Sequence, residues 1–158
     1  LLQNKPGVLS RVTGLFSGRG FNIESLCVAE TLDPKVSCLT LITEGDNNII
    51  EQISKQLHKL IDVIKVVEIN DSEFVDREMV LIRVNAEEYT RAEVLRIIDI
   101  FRGKVVDVSP KSYAVEITGS SSKIEAVIDI LRPIGIKEIV RTGKIAIARS
   151  KAGKQKIS

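Results

Sequence analysis

Aromatic rings are scarce in this chain of 158 residues: Phe, Tyr and Trp together make up 4%, and Trp is absent. Surfaces that stack nucleic-acid bases rely on such rings, so the scarcity argues against that role. Neither sign of charge dominates, because 23 basic residues face 21 acidic ones for a net charge of +2. Binding by phosphate neutralisation finds no support in that balance. No apolar run approaches the roughly 20 residues that cross a bilayer, so no membrane span is expected. With 44% hydrophobic and 28% charged residues, the chain reads as a soluble globular protein.

Catalytic side chains are equally sparse. The one histidine, His58, sits between Leu57 and Lys59 on an amphipathic stretch, where a solvated position is expected rather than a ligand or base. Cys27 and Cys38 lack Cys-x-x-Cys spacing and a companion pair, so they define neither a zinc site nor a disulfide framework. They are expected to face one another across a hairpin as small buried hydrophobes, in a reducing compartment. Gly14, Gly18 and Gly20 miss the dinucleotide-binding spacing, and neither a phosphate loop nor a Gly-x-Ser-x-Gly elbow occurs. Most carboxylates fall opposite the apolar stripes of helices, as solvated charges do. No nucleophile, base or metal cluster is left to support an enzyme. The chain opens at Leu1-Leu2-Gln3 without Met, as if trimmed. The cytoplasm is the expected compartment, with a removed signal or organelle transit peptide as the alternative.

What is present is one pattern used twice. Leu1–Gln3 reads as the tail of a strand, and Val8, Leu9, Val12, Leu15 and Phe16 form the stripe of a helix that Gly18 and Gly20 end. Residues 21–30 and 36–43 read as a hairpin across Asp33-Pro34. A second helix carries Ile49, Ile50, Ile53, Leu57, Leu60 and Ile61, and residues 63–69 resume as a strand. The polar stretch 70–73 marks a boundary, after which residues 79–84 restart the order. Thr90 with Glu93, and Ser122 with Glu125, have capping-box spacing at two further helices. Between those helices residues 105–108 and 113–117 form a hairpin across Ser109-Pro110, and residues 136–140 and 144–148 close the pattern as strands. The expectation is α+β: two ferredoxin-like βαββαβ domains over residues 1–71 and 77–149, then a basic tail at 150–158. Both faces of the first hairpin carry apolar or small residues, so its sheet wants cover from a homodimer partner or from the other half of the chain.

One constellation remains, the turn Asn4-Lys5-Pro6-Gly7-Val8-Leu9. Pro6 fixes φ at a helix start, and Gly7 lets a ligand approach the backbone, where the N–H groups of Gly7, Val8 and Leu9 are expected to point outward as an anion hole. The competing reading is an ordinary helix start with Asn4 as its cap. A free amino acid suits the place, its carboxylate on the N–H groups and its ammonium on the Asn4 amide oxygen, with its side chain against Val8 and Leu9. About 1 to 2 kcal/mol from the dipole and charged hydrogen bonds adds to about 1.5 to 3 from burying an isopropyl group. After ordering costs, such terms correspond to roughly micromolar to millimolar binding.

The stretches Asn4-Lys5-Pro6-Gly7-Val8-Leu9-Ser10-Arg11-Val12 and Gly20-Phe21-Asn22-Ile23-Glu24-Ser25-Leu26 resemble the N-terminal ACT domain of the regulatory (small) subunit of acetohydroxyacid synthase, also called acetolactate synthase. Residues 101–110, 134–139 and 141–143 are similar to that family's C-terminal, ACT-like domain. The resemblance implies a subunit without an active site, working in branched-chain amino acid biosynthesis. It would activate a catalytic subunit that carries thiamine diphosphate, Mg²⁺ and FAD, itself needing no cofactor, and would make that enzyme sensitive to valine or a related branched-chain amino acid. By position, Asn4, Gly7, Val8 and Leu9 of one protomer would hold valine, with Asn22 and Ile23 approaching from the other. An ACT-domain sensor of a different amino acid, regulating another partner, is the alternative. A tandem RNA-binding module of the same fold is disfavoured, since residues 36–42 contain no aromatic ring.

Overall fold

Val8, Val12 and Phe16 recur every fourth residue and so line one side of a helix, which gives the first unit its core. The structure is a computed structural model describing residues 1–69 and 74–149; the boundary read at 70–73 and the tail at 150–158 lie outside the described residues. The described residues divide into two compact units, Leu1–Val75 with residues 146–149, and Asp76–Ile145. Among the described residues no helix is long and apolar enough to cross a membrane.

In the first unit, β1 (Leu2–Gln3), α1 (Val8–Gly18), β2 (Ser25–Glu30), β3 (Val36–Ile42) and α2 (Asn47–Leu57) follow in order. The antiparallel sheet runs β1-β3-β2, leaving β2 at an edge. Leu2, Val8, Val12, Phe16 and Ile53 are buried together, with Leu39 and Leu41 packed against them, so both helices cover one face of the sheet. Gly20, at φ +71°, turns the chain out of α1. Phe21 then donates its N–H to the Phe16 carbonyl and meets the Phe16 ring edge to face, with centroids 6.3 Å apart. Strand alternation sends Ser25, Cys27, Ala29, Val36, Cys38, Thr40 and Ile42 to the other face, which carries no charged side chain on β2 or β3.

Two expectations for this unit fail. The second helix stops at Leu57, short of the expected Leu60 and Ile61, and Ile61 is 89% exposed. The residues after it must turn back toward β1, where Gln3 donates to the Asp62 carbonyl. The strand expected at 63–69 is reduced to a single bridge between Leu2 and Val63, with Ile64 and Lys65 donating to the Leu1 carbonyl. Its neighbour β1 is only two residues long, so no longer ladder forms. Arg11, in the first turn of α1, pairs with the nearly buried Asp62 carboxylate and ties the helix start to this returning segment.

After α2 come β4 (Phe74–Asn85), α3 (Arg91–Ile100), β5 (Lys104–Ser109), β6 (Ser112–Gly119), α4 (Ser121–Leu131), β7 (Ile136–Arg141) and β8 (Ile145–Ala148), and the second unit takes in all of these but the first two residues of β4 and the last three of β8. Its sheet runs β5-β6-β4-β7, with β8 also pairing β4. Val80, Ile82 and Val84 of β4 and Val115 and Ile117 of β6 are fully buried beneath Val94, Ile124, Val127 and Leu131 of the helices. The opposite face carries a charge row, Arg83 bonding Asp107 at 3.1 Å and Glu138 at 3.5 Å. Neither capping box forms. Thr90 turns its hydroxyl to the Glu87 carbonyl, satisfying its own turn rather than α3. The cap of α4 is Ser120, two residues before the one expected, accepting from the Lys123 N–H.

Glu78 is the one buried carboxylate of β4, its side chain 2% exposed. Arg141 of β7 grips both its oxygens, at 2.7 and 2.8 Å, and reaches Glu125 of α4 at 2.9 Å. Those hydrogen bonds hold the Glu78 carboxyl below its ordinary value of 4.5. A carboxylate with a depressed folded pKa stabilises fully above its unfolded value, and the contribution is lost as pH falls through the folded one. Replacing Glu78 by Gln is therefore expected to lower the unfolding free energy at pH 7 by about 2 kcal/mol. In urea titrations at stepped pH, the gap to wild type should narrow once the pH drops below 4.5.

Candidate functional site

The turn before α1 takes its shape from Gly7, whose φ of +83° belongs to the left-handed region that a side chain disfavours. The Val8 N–H closes the Lys5-Pro6-Gly7 turn by donating to the Lys5 carbonyl at 3.3 Å, and Gly7 accepts from the Arg11 N–H as the cap of α1. This corrects the anion hole expected at Gly7, Val8 and Leu9: Val8 is internally bonded and 3% exposed. Among the described residues, no acceptor is paired with the N–H groups of Gly7, Leu9 or Ser10, and these three form the open set. They carry the partial positive charge of the helix start.

Asn4 does not cap the helix, because the three-residue turn separates it from the first helical N–H groups. Its amide instead crosses to the hairpin, donating through Nδ2 to Glu30 Oε1 at 3.1 Å and to the Pro34 carbonyl at 2.9 Å. Its backbone N–H donates to the Lys35 carbonyl. With Nδ2 committed, Oδ1 is left as the free acceptor of the amide. Strands β1 and β2 both run antiparallel to β3, hence parallel to each other, so the exit of β1 lies at the same end of the sheet as the exit of β2.

Between those exits and the start of α1 lies a depression of about 280 Å³, lined by Leu2, Gln3, Asn4, Lys5, Val8 and Leu9 on one side and by Val28, Ala29, Glu30 and Ser37 on the other. The apolar residues Val8, Leu9 and Val28 supply its floor and wall. The Leu9 N–H and Lys5 are donors in its lining, and Glu30 offers a carboxylate. Of the six residues singled out in the sequence, Asn4, Val8 and Leu9 line this pocket and Gly7 shapes its rim. Asn22 and Ile23 lie elsewhere in the same chain. The Asn22 carbonyl accepts from Thr43 Oγ1 at 2.6 Å, and Ile23 packs against the core. Residues 24–29, most of β2 among them, stand between them and Glu30, a span of about 20 Å. Glu30 was not singled out in the sequence; only the topological rule that brings the two strand exits together points to it.

The cysteines also depart from expectation. Cys27 is opposite Thr40 and Cys38 opposite Ala29, so they lie diagonally on one face, and Cys38 is exposed. The register follows from the turn, where Thr31 donates to the Val36 carbonyl and Asp33 Oδ1 accepts from Lys35. His58 is exposed, with Nδ1 on the Ser54 carbonyl at the end of α2.

Residues 77–150 match the family model described as the small subunit of acetolactate synthase, and residues 1–65 match the model of the AHAS small subunit-like ACT domain. The chain belongs to the acetolactate synthase small-subunit family. Within it, the chain is 52% identical to a probable acetolactate synthase small subunit of Archaeoglobus fulgidus, over 94% of this chain and 93% of that protein. It is 51% identical to the acetolactate synthase small subunit of Haemophilus influenzae, over 94% and 92%. The fold agrees with the crystal structure of the small subunit from Thermotoga maritima, at a TM-score of 0.86 and 42% identity over 96% of this chain and 94% of that one.

For this small-subunit chain, the shape of the turn makes a specific demand on Gly7. Nothing lies within 4 Å of a Cβ built there, so the cost of a side chain is conformational, not steric. Gly7→Ala is expected to destabilise the chain by about 1 to 2 kcal/mol. Gly7→Asn, whose side chain tolerates the left-handed region, should cost less, as read from urea unfolding of the two variants side by side.

Proposed function

We propose that this chain is the regulatory subunit of an acetolactate synthase, activating a catalytic subunit and making it subject to feedback inhibition by valine. The carrying observation is the pocket at the start of α1, which combines an open backbone donor at Leu9, the amide oxygen of Asn4 and apolar surface from Val8, Leu9 and Val28. A carboxylate on the donors and an isopropyl group on the wall is the pose that this arrangement favours. In this reading the chemistry belongs to the catalytic partner in the cytoplasm, which carries thiamine diphosphate, Mg²⁺ and FAD.

The same reading includes a homodimer. Strand β2 ends the β1-β3-β2 order, and among the described residues the sheet face it forms with β3 lacks charge. If two copies pair antiparallel along β2, the start of one strand comes beside the end of the other. Asn22 and Ile23 of the second copy would then stand next to Ala29 and Glu30 of the first, at the mouth of the pocket. That arrangement would reunite the residues that a single chain keeps about 20 Å apart.

The test is reconstitution with a catalytic subunit of the same enzyme, following acetolactate formation with and without valine. The proposal expects activation by the chain and inhibition by added valine. No activation in any cognate pairing would overturn it. Asn4→Ala should raise the valine concentration for half-inhibition by roughly 10- to 100-fold, as the loss of a charged hydrogen bond implies. Unchanged valine sensitivity in that variant would place the effector elsewhere.

A further inference from the structure

Glu30 closes β2 and lines the pocket, and among the described residues only the Asn4 amide bonds its carboxylate, through Oε1. Among the described residues no Lys or Arg forms an ion pair with it. Among the described residues the second carboxylate oxygen has no hydrogen-bond or ion-pair partner, and it belongs to a depression that Lys5 and the open Leu9 N–H also line. Because Asn4 spends both hydrogens on Glu30 and the Pro34 carbonyl, its Oδ1 is an acceptor as well. The lining thus combines an open backbone donor at Leu9 with acceptors at Glu30 and Asn4, beside the apolar side chains of Val8 and Val28.

We propose that Glu30 is the residue that recognises the α-ammonium group of the effector, so that the pocket selects zwitterionic α-amino acids over the corresponding 2-oxo acids. This rests on the effector reading above and adds a specificity-determining residue to it. A valine and its 2-oxo analogue share the carboxylate and the isopropyl group. They differ at the α-carbon, where one presents N–H donors with a positive charge and the other a carbonyl oxygen. Facing the Glu30 carboxylate and Asn4 Oδ1, the ammonium gains charge-assisted hydrogen bonds, whereas the carbonyl meets two acceptors and can bond neither. Discrimination here comes as much from repelling the wrong group as from attracting the right one.

The experiment is calorimetric titration of the intact chain with valine and with 3-methyl-2-oxobutanoate, its 2-oxo analogue, in wild type and Glu30→Gln. Wild type should bind valine at least tenfold tighter than the oxo acid, about 1.4 kcal/mol. Glu30→Gln should bring the two ligands to within about threefold, chiefly by weakening valine, and its circular dichroism should match wild type because the side chain lies on the surface. Wild type binding both ligands equally overturns the proposal whatever the variant does. So does a Glu30→Gln variant that keeps the wild-type ratio, and in that case the effector pocket itself stands. Wild type that takes up neither ligand overturns the pocket reading and this inference with it.

Discussion

The side chain of Asn4, bonded at once to Glu30 and to the Pro34 carbonyl, holds the exit of the first strand against the closing end of the hairpin. Everything at the pocket follows from that crosslink. It fixes where the Lys5-Pro6-Gly7 turn begins, and so where α1 starts and which backbone N–H groups stay open. It also commits both amide hydrogens, so the amide oxygen of Asn4 is the acceptor this side chain keeps. Arg11 and Asp62 make a second tie one turn further on, between the helix start and the segment returning from α2. With both ties in place, the donors and the acceptors of the pocket sit on elements anchored to one small sheet.

The two units solve the same packing problem differently. Each lays two helices on one face of an antiparallel sheet. In the second unit the opposite face carries its own charge row through Arg83, and its edge is stapled by Arg141 on the buried Glu78. Such a face tolerates water. In the first unit the opposite face of β2 and β3 has no charge, and β2 is the outer strand of the sheet. A soluble chain seldom leaves a face and an edge of that kind uncovered, which is why the proposed dimer is built on the first unit.

The order of strands and helices was legible because apolar spacing changes visibly between period 2 and period 3.6, as from Val36–Ile42 to Ile49, Ile50 and Ile53. What was not legible depended on long-range geometry. The capping role of Ser120 over Ser122, and the turning of the Thr90 hydroxyl back to the Glu87 carbonyl, depend on where the chain enters each helix. The diagonal placement of Cys27 and Cys38 depends on a register set by hydrogen bonds in the Thr31–Lys35 turn. The turn at Gly7 was recognisable from its residues, but the diversion of Asn4 away from the helix was not, since its partners are 26 and 30 residues away. Glu30 entered the pocket for the same reason.

The central claim is that one chain supplies the α1 start of an effector site and a second copy supplies Asn22. Subunit complementation tests it most directly. Asn4→Ala and Asn22→Ala chains, each expected to bind valine poorly as homodimers, are co-expressed with different tags and the mixed dimer is isolated through both. In a mixed dimer the two lesions fall on one site and leave the other whole. The account predicts one valine bound per mixed dimer at the wild-type affinity. A mixed dimer that binds no better than either parent would contradict it.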